Sequence, residues 1–340
     1  MKVFKAFLKT ILSGITAVAI LSVIMLGYYF MPLRVENNNQ NTDYVLGANR
    51  PWSNLTEGIS YGITDANGYN NKSVTEDPEI IFLGSSHLQG MCVMQKENMC
   101  YLLDEKFEGK YHVYNMGVSG HTLYKVTQYL ENSLNIFEKK PKYVIIETSS
   151  VTLTEYEVQN ALHGKVKKTE VVDTGVLAEM QKIPFFRQMY HQLDGGILKM
   201  LLPNNKKKAD SASSLSVTAE QTPQISIDEK PYDLLMNYFQ KIEQQYNTQI
   251  VIMFHPFESL HSDGSISFAE TECAKVFSQY AEKQGIGFVD MTEDFENMYY
   301  ENHHVPHGFP MGKLGVGHIN KYGHAAVADK LYNYISALEE

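Results

Sequence analysis

The sequence predicts an α/β domain built on a parallel sheet and preceded by one membrane-crossing helix. Three observations carry this reading. Short apolar runs alternate with amphipathic stretches from residue 78 to residue 338; those runs are apolar on both faces; and residues 10–31 contain no charged side chain. Strands that read as continuous apolar runs, separated by helical segments, belong to parallel sheets covered on both sides. In such sheets functional groups gather at the carboxyl ends of the strands.

The uncharged run comes first. Thr10–Met31 is 22 residues long, and about 20 suffice to cross the hydrocarbon core as a helix. Lys2, Lys5 and Lys9 precede it, and Tyr28 and Tyr29 stand at its far end, where an interfacial aromatic belt lies. The positive-inside rule makes residues 1–9 a cytoplasmic tail and 10–31 a transmembrane anchor. Everything after Arg34 is then extracytoplasmic, in a single-pass protein of the cell membrane. The rival is a cleaved signal peptide, but the Ala17-Val18-Ala19 match lies inside the apolar run, a poor place for cleavage. Residues 32–77 are polar and rich in Asn, Gly and Thr, and read as a stalk and lead-in.

The domain itself occupies 78–340. Its strand candidates are Glu79–Leu83, Val113–Tyr114, Tyr143–Ile146, Ile250–Phe254 and Gly287–Val289. Helical stretches lie near 96–107, 122–138, 230–247, 266–284 and 321–338. Two segments break the alternation. Residues 151–202 read as a helical insertion rich in apolar and aromatic side chains, and 203–229 as a flexible Ser/Lys/Thr-rich loop that cannot bury a core.

Charge narrows the partners. The net charge is −10, and residues 1–34 carry Lys2, Lys5, Lys9 and Arg34 with no acid, so the remainder stands at −14. An acidic body without a basic stripe excludes nucleic acid as the partner. Cys92, Cys100 and Cys273 are too few for a disulfide framework. Cys92 and Cys100 fit a disulfide or two free thiols equally well.

Three motifs carry chemistry. The first strand ends in Leu83-Gly84-Ser85-Ser86-His87, where a strand-to-helix turn can raise a hydroxyl above the sheet beside helix N-terminal amides. The second strand ends in Asn115-Met116-Gly117-Val118-Ser119-Gly120-His121-Thr122, whose glycines let backbone N–H groups approach a ligand and stabilise an oxyanion. Near the C-terminus stands His318-Ile319-Asn320-Lys321-Tyr322-Gly323, just before the last helix. His303, His304, His307 and His318 lack metal-ligand spacing, and no metal or cofactor is expected. His255-Pro256 ends the fourth strand, either lining the pocket or simply turning the chain.

The order Gly-x-Ser, then Asn-x-Gly-x-x-Gly-x-Thr about 30 residues later, then His-x-Asn-x-x-Gly resembles the SGNH (GDSL-like) hydrolase family over residues 78–338, apart from the insertion. The resemblance implies a flavodoxin-like fold, in which helices sandwich the sheet. It implies Ser86 as nucleophile and His318 as its base, with an oxyanion hole from the Ser86 and Gly120 amides and from Ser149, which stands where the family carries Asn. The family usually places Asp three residues before the His; here that position is Gly315. Asp290, at the end of the fifth strand, is the first candidate for the acid, or else a cap of the following helix. Glu147 is the second, and a Ser–His dyad is the remaining option.

The anchor and the variant blocks resemble a tethered subset that includes proteins similar to the teichoic acid D-alanine transfer protein and the alginate O-acetylation proteins. That resemblance implies an extracytoplasmic serine O-acyltransferase. It would pass an acetyl group to a cell-envelope or secreted polysaccharide, beside a membrane-bound O-acyltransferase. A membrane-tethered carbohydrate esterase and a non-catalytic assembly subunit are the alternatives.

Overall fold

The computed structural model describes residues 2–28, 34–36, 44–54, 57–163, 183, 185–186, 228–310 and 312–339. The chain divides into two units, Met1–Tyr28 with Val171–Asp228, and Tyr29–Glu170 with Glu229–Glu340. Helix α1 (Lys2–Tyr28) belongs to the first. Its stretch Phe4–Ile24 has a mean hydropathy of 2.0, long and apolar enough to cross a membrane. Thr10 and Thr16 return their hydroxyls to the carbonyls of Ala6 and Leu12, as hydroxyls do in an apolar helix.

The second unit opens with two short antiparallel pairs, β1 (Arg34–Glu36) with β2 (Tyr44–Leu46), and β3 (Pro51–Asn54) with β4 (Ser60–Ile63). The described residues of 44–77 are therefore not the loose lead-in that their composition suggests. Trp52 is buried against Leu46 and Met91, and Asn54 and Ser60 both donate to the Met91 carbonyl (3.1 and 2.8 Å). Polar residues dominate this segment because its hydrogen bonds, more than apolar area, dock it on the domain.

The central sheet contains β5 (Ile80–Gly84), β6 (Val113–Gly117), β7 (Tyr143–Thr148), β8 (Gln249–Phe254) and β11 (Gly287–Asp290). All are parallel, in the order β11-β8-β7-β5-β6. Every residue of β5, β6 and β7 is buried, as a sheet covered on both faces requires. One side packs Ile80, Phe82, Ile145, Val251 and Met253 against Met99 and Leu103 of α3 (Met99–Lys106) and Val327, Leu331 and Ile335 of the last helix. The other side meets α4 (Leu123–Leu134) and α6 (Lys230–Tyr246). The strand order reverses between β5 and β7, so a crevice opens at their carboxyl ends.

The remaining elements are α2 (Ser86–Gln89), α5 (Glu155–His163), the hairpin β9 (Glu258–Leu260) with β10 (Ile266–Phe268), α7 (Thr271–Gln284), α8 (Thr292–Asn302) and α9 (Lys321–Ala337). Residues 266–268, expected at the start of a helix, form β10 instead, because Ile266–Phe268 returns antiparallel on Glu258–Leu260. Of the expected insertion at 151–202, residues 151–163 are described and include α5; most of the rest, and the loop 203–227, lie outside the described residues. All three cysteines are free thiols.

Candidate active site

The site grows from the carboxyl end of β5. Ser85 caps α2, its hydroxyl accepting the His87 amide at 3.1 Å, and Ser86 is the first residue of that helix. The turn is held from below by Glu147 of β7. Its Oε2 accepts the Ser85 amide (2.6 Å) and its Oε1 accepts the Ser85 hydroxyl (3.1 Å). Gly84 makes this possible: a Cβ there would fall 2.3 Å from the Glu147 carboxylate.

His318 approaches from the loop before α9. Asn320 caps that helix, accepting the Tyr322 amide (2.9 Å), and its amide group donates to the carbonyls of Val305 and Gly308 (2.7 and 3.0 Å). The His-x-Asn spacing thus fixes the loop that carries the imidazole. His318 Nε2 lies 2.9 Å from Ser86 Oγ.

The other ring nitrogen meets a residue that the sequence reading did not single out. His318 Nδ1 lies 2.8 Å from Glu57 Oε1, and the His318 amide donates to Glu57 Oε2 at 3.0 Å. Glu57 sits at the tip of the β3–β4 hairpin. Gly58 beside it is pressed on Phe309 and the Cys92 carbonyl. Gly317, at φ +105°, leaves the room that the carboxylate fills, since a Cβ there would stand 2.8 Å from it.

Asp290 and Glu147, the two sequence candidates for the acid, are thereby displaced. Asp290 Oδ1 accepts the amide and the hydroxyl of Thr292 at 2.9 and 2.5 Å, holding the first turn of α8. Glu147 is fully buried and faces His255 at 2.5 Å. The relay is Ser86–His318–Glu57. Gly120 occupies a turn at φ +86°, where glycine avoids left-handed strain. Ser149 lines a cleft of about 490 Å³, its open mouth included, together with Ser85, His121, Tyr124, Glu147 and Leu153.

The electrostatics follow from these contacts. Burial lowers the proton affinity of His318, but the nearby Cys92 sulfur and the Glu57 carboxylate outweigh that and its pKa is pushed up to about 10. Burial raises the Glu57 carboxyl, and its hydrogen bond and charge pairing with His318 bring it below the ordinary value. Burial holds His87 and His255 well below the usual imidazole range, so both are neutral.

No family model and no curated protein matches the chain. Solved structures similar to it include the acetyl xylan esterase AlAXEase, at 15% identity and a TM-score of 0.38, covering 75% of this chain and 98% of that one. The psychrotrophic esterase EstA from Pseudoalteromonas sp. has the same identity and TM-score, with 77% and 98% covered. A member of the lipolytic G-D-S-L family from Veillonella parvula stands at 14% and 0.38, with 76% and 97% covered.

Proposed function

We propose that the chain is a serine acyl-ester enzyme that moves an acyl group through Ser86. The observation that carries this is the continuous Ser86–His318–Glu57 relay, with both imidazole nitrogens engaged at 2.9 and 2.8 Å. His318 Nε2 takes the Ser86 proton as Oγ attacks the acyl carbonyl carbon, and the same proton then goes to the departing alcohol. Glu57 fixes the ring tautomer and steadies the imidazolium. The amides of Ser86 and Gly120, with Ser149, are proposed as the donors to the oxyanion.

For the second half-reaction we propose transfer to a sugar hydroxyl. The apolar helix α1 supports it, since an anchored enzyme would meet a donor handed across the bilayer by a membrane-bound O-acyltransferase. The acceptor would be a cell-envelope or secreted polysaccharide. Hydrolysis is the second reading, and the relay supports it, since Glu57 stands behind His318 as a triad acid would in an esterase. The same observation counts against the non-catalytic reading, which the missing Asp before His318 had suggested. Cells lacking the protein decide between the two. Transfer requires loss of O-acyl groups from one polysaccharide, restored by the wild-type chain but not by Ser86→Ala. A rise in acylation would make it a deacylase.

A further inference from the structure

Beside the relay, three more imidazoles converge. His87 follows the nucleophile, His255 follows β8, and His307 sits in the loop before His318; their exposures are 8%, 0% and 0%. One ring nitrogen from each lies within 4.8 Å of the other two. His255 Nδ1 and His307 Nε2 face each other at 3.3 Å.

The backs of two of these rings settle what the fronts present. His255 Nε2 lies 2.5 Å from Glu147 Oε1. His307 Nδ1 lies 2.5 Å from Glu258 Oε2, while Glu258 Oε1 accepts the His307 amide at 3.1 Å. A carboxylate only accepts, so each ring keeps its proton on the outer nitrogen. The two inner nitrogens then direct lone pairs at one another in a dry interior, an arrangement that calls for a cation between them. Tetrahedral zinc, with Zn–N of about 2.0–2.1 Å, sets its ligand nitrogens about 3.3 Å apart. Carboxylates behind ligating imidazoles are the outer shell that metal-bound histidines ordinarily have.

We propose that His255 Nδ1, His307 Nε2 and His87 hold one divalent transition ion of the zinc class, with Glu147 and Glu258 orienting the ligands. An all-imidazole donor set selects zinc, cobalt, nickel or copper over magnesium and calcium. His87 has a choice to make. Its Nδ1 accepts the Ile319 amide at 3.1 Å, and a neutral ring so bonded carries its proton on Nε2. Taking up the ion therefore turns the His87 ring away from Ile319. The role is structural. The ion would tie the helix bearing Ser86 to β8 and to His307, whose backbone bridges to Ile319 beside His318.

The test uses the full-length protein, stripped with a chelator and titrated with Zn²⁺ or Co²⁺ alone. One equivalent bound, a raised Tm and a tetrahedral cobalt spectrum without thiolate charge transfer are expected. Glu258→Gln should weaken binding about 10- to 100-fold, and His307→Ala should abolish it, while His261→Ala leaves it intact. If His307→Ala does not fold, the wild-type cobalt spectrum still decides, because a thiolate band would move the ion to Cys92. That band, the absence of stoichiometric uptake by folded protein, or unchanged uptake in His307→Ala would each overturn the proposal.

Discussion

Three imidazole–carboxylate pairs lie close together around Ser86, and the contrast between the part-exposed pair and the two sealed ones is instructive. The side chains of His318 and Glu57 are 30% and 32% exposed, whereas His255–Glu147 and His307–Glu258 are at 0% throughout. Behind each ring the carboxylate does the same thing: it engages one nitrogen and aims the other forward. The difference lies in what stands in front. His318 faces the Ser86 hydroxyl at a part-exposed position, where moving a proton would have a use. His255 and His307 face each other, where no substrate can enter. On the proposed reading, one unit of chemistry would serve catalysis at the part-exposed pair and architecture at the sealed ones.

The sharpest way to break the contrast is to remove the front of the exposed pair. Ser86→Ala and His318→Ala should each lower acyl-ester turnover by about 10⁴- to 10⁶-fold, with the double variant little worse than either, since the pair acts as one unit. Initial rates on an activated acetyl ester check this. Removing the back comes next: Glu57→Gln should cost about 10²- to 10⁴-fold. It should also move the pH profile. His318 works as a base only when neutral, and its conjugate acid survives to a pKa of about 10 in the wild type. kcat/KM therefore climbs as pH rises toward that value. Without the Glu57 charge the imidazolium loses support, and the rising limb shifts to lower pH. An unmoved limb in folded Glu57→Gln would remove Glu57 from the relay.

The sealed pairs should answer in stability instead. Glu258→Ala strips His307 of its partner in the interior and should destabilise the fold by about 3–5 kcal/mol, read as a shift in the urea midpoint. The smallest effect is expected at Asp290. Asp290→Ala loses only the bonds to Thr292, so stability should fall by about 0.5–2 kcal/mol and turnover should stay at the wild-type rate. A large loss of turnover there would restore Asp290 to the mechanism.

The sheet and much of the site were legible because their signals are local. Five apolar runs marked the five parallel strands within one to three residues at their ends. Ser86 and His318 each sit in a short motif at the edge of an element. Glu57 could not be read in the same way. It stands 29 residues before the nucleophile in a polar segment, and its place depends on the hairpin docking through Asn54, Ser60 and Gln95, whose side chain bonds both the amide and the carbonyl of Ile63 (3.2 and 2.7 Å). Such contacts are tertiary and leave no periodicity. One sequence signal pointed toward it: Trp52, the chain's single tryptophan, lies in a stretch that its composition marks as a linker. Glu147 and His255 misled or stayed ambiguous for a related reason. Both lie at the carboxyl ends of central strands, where active groups collect, yet their partners face into the protein.

On the proposed reading, acyl groups pass through Ser86 under the control of His318 and Glu57. The direct measurement exposes full-length protein briefly to an activated acetyl ester, quenches it in acid, and locates the label by peptide mass spectrometry. One acetyl group on Ser86 is expected in the wild type, none in Ser86→Ala, and far slower labelling in His318→Ala and Glu57→Gln. A label on another residue, or ester turnover that Ser86→Ala leaves unchanged, would contradict the account.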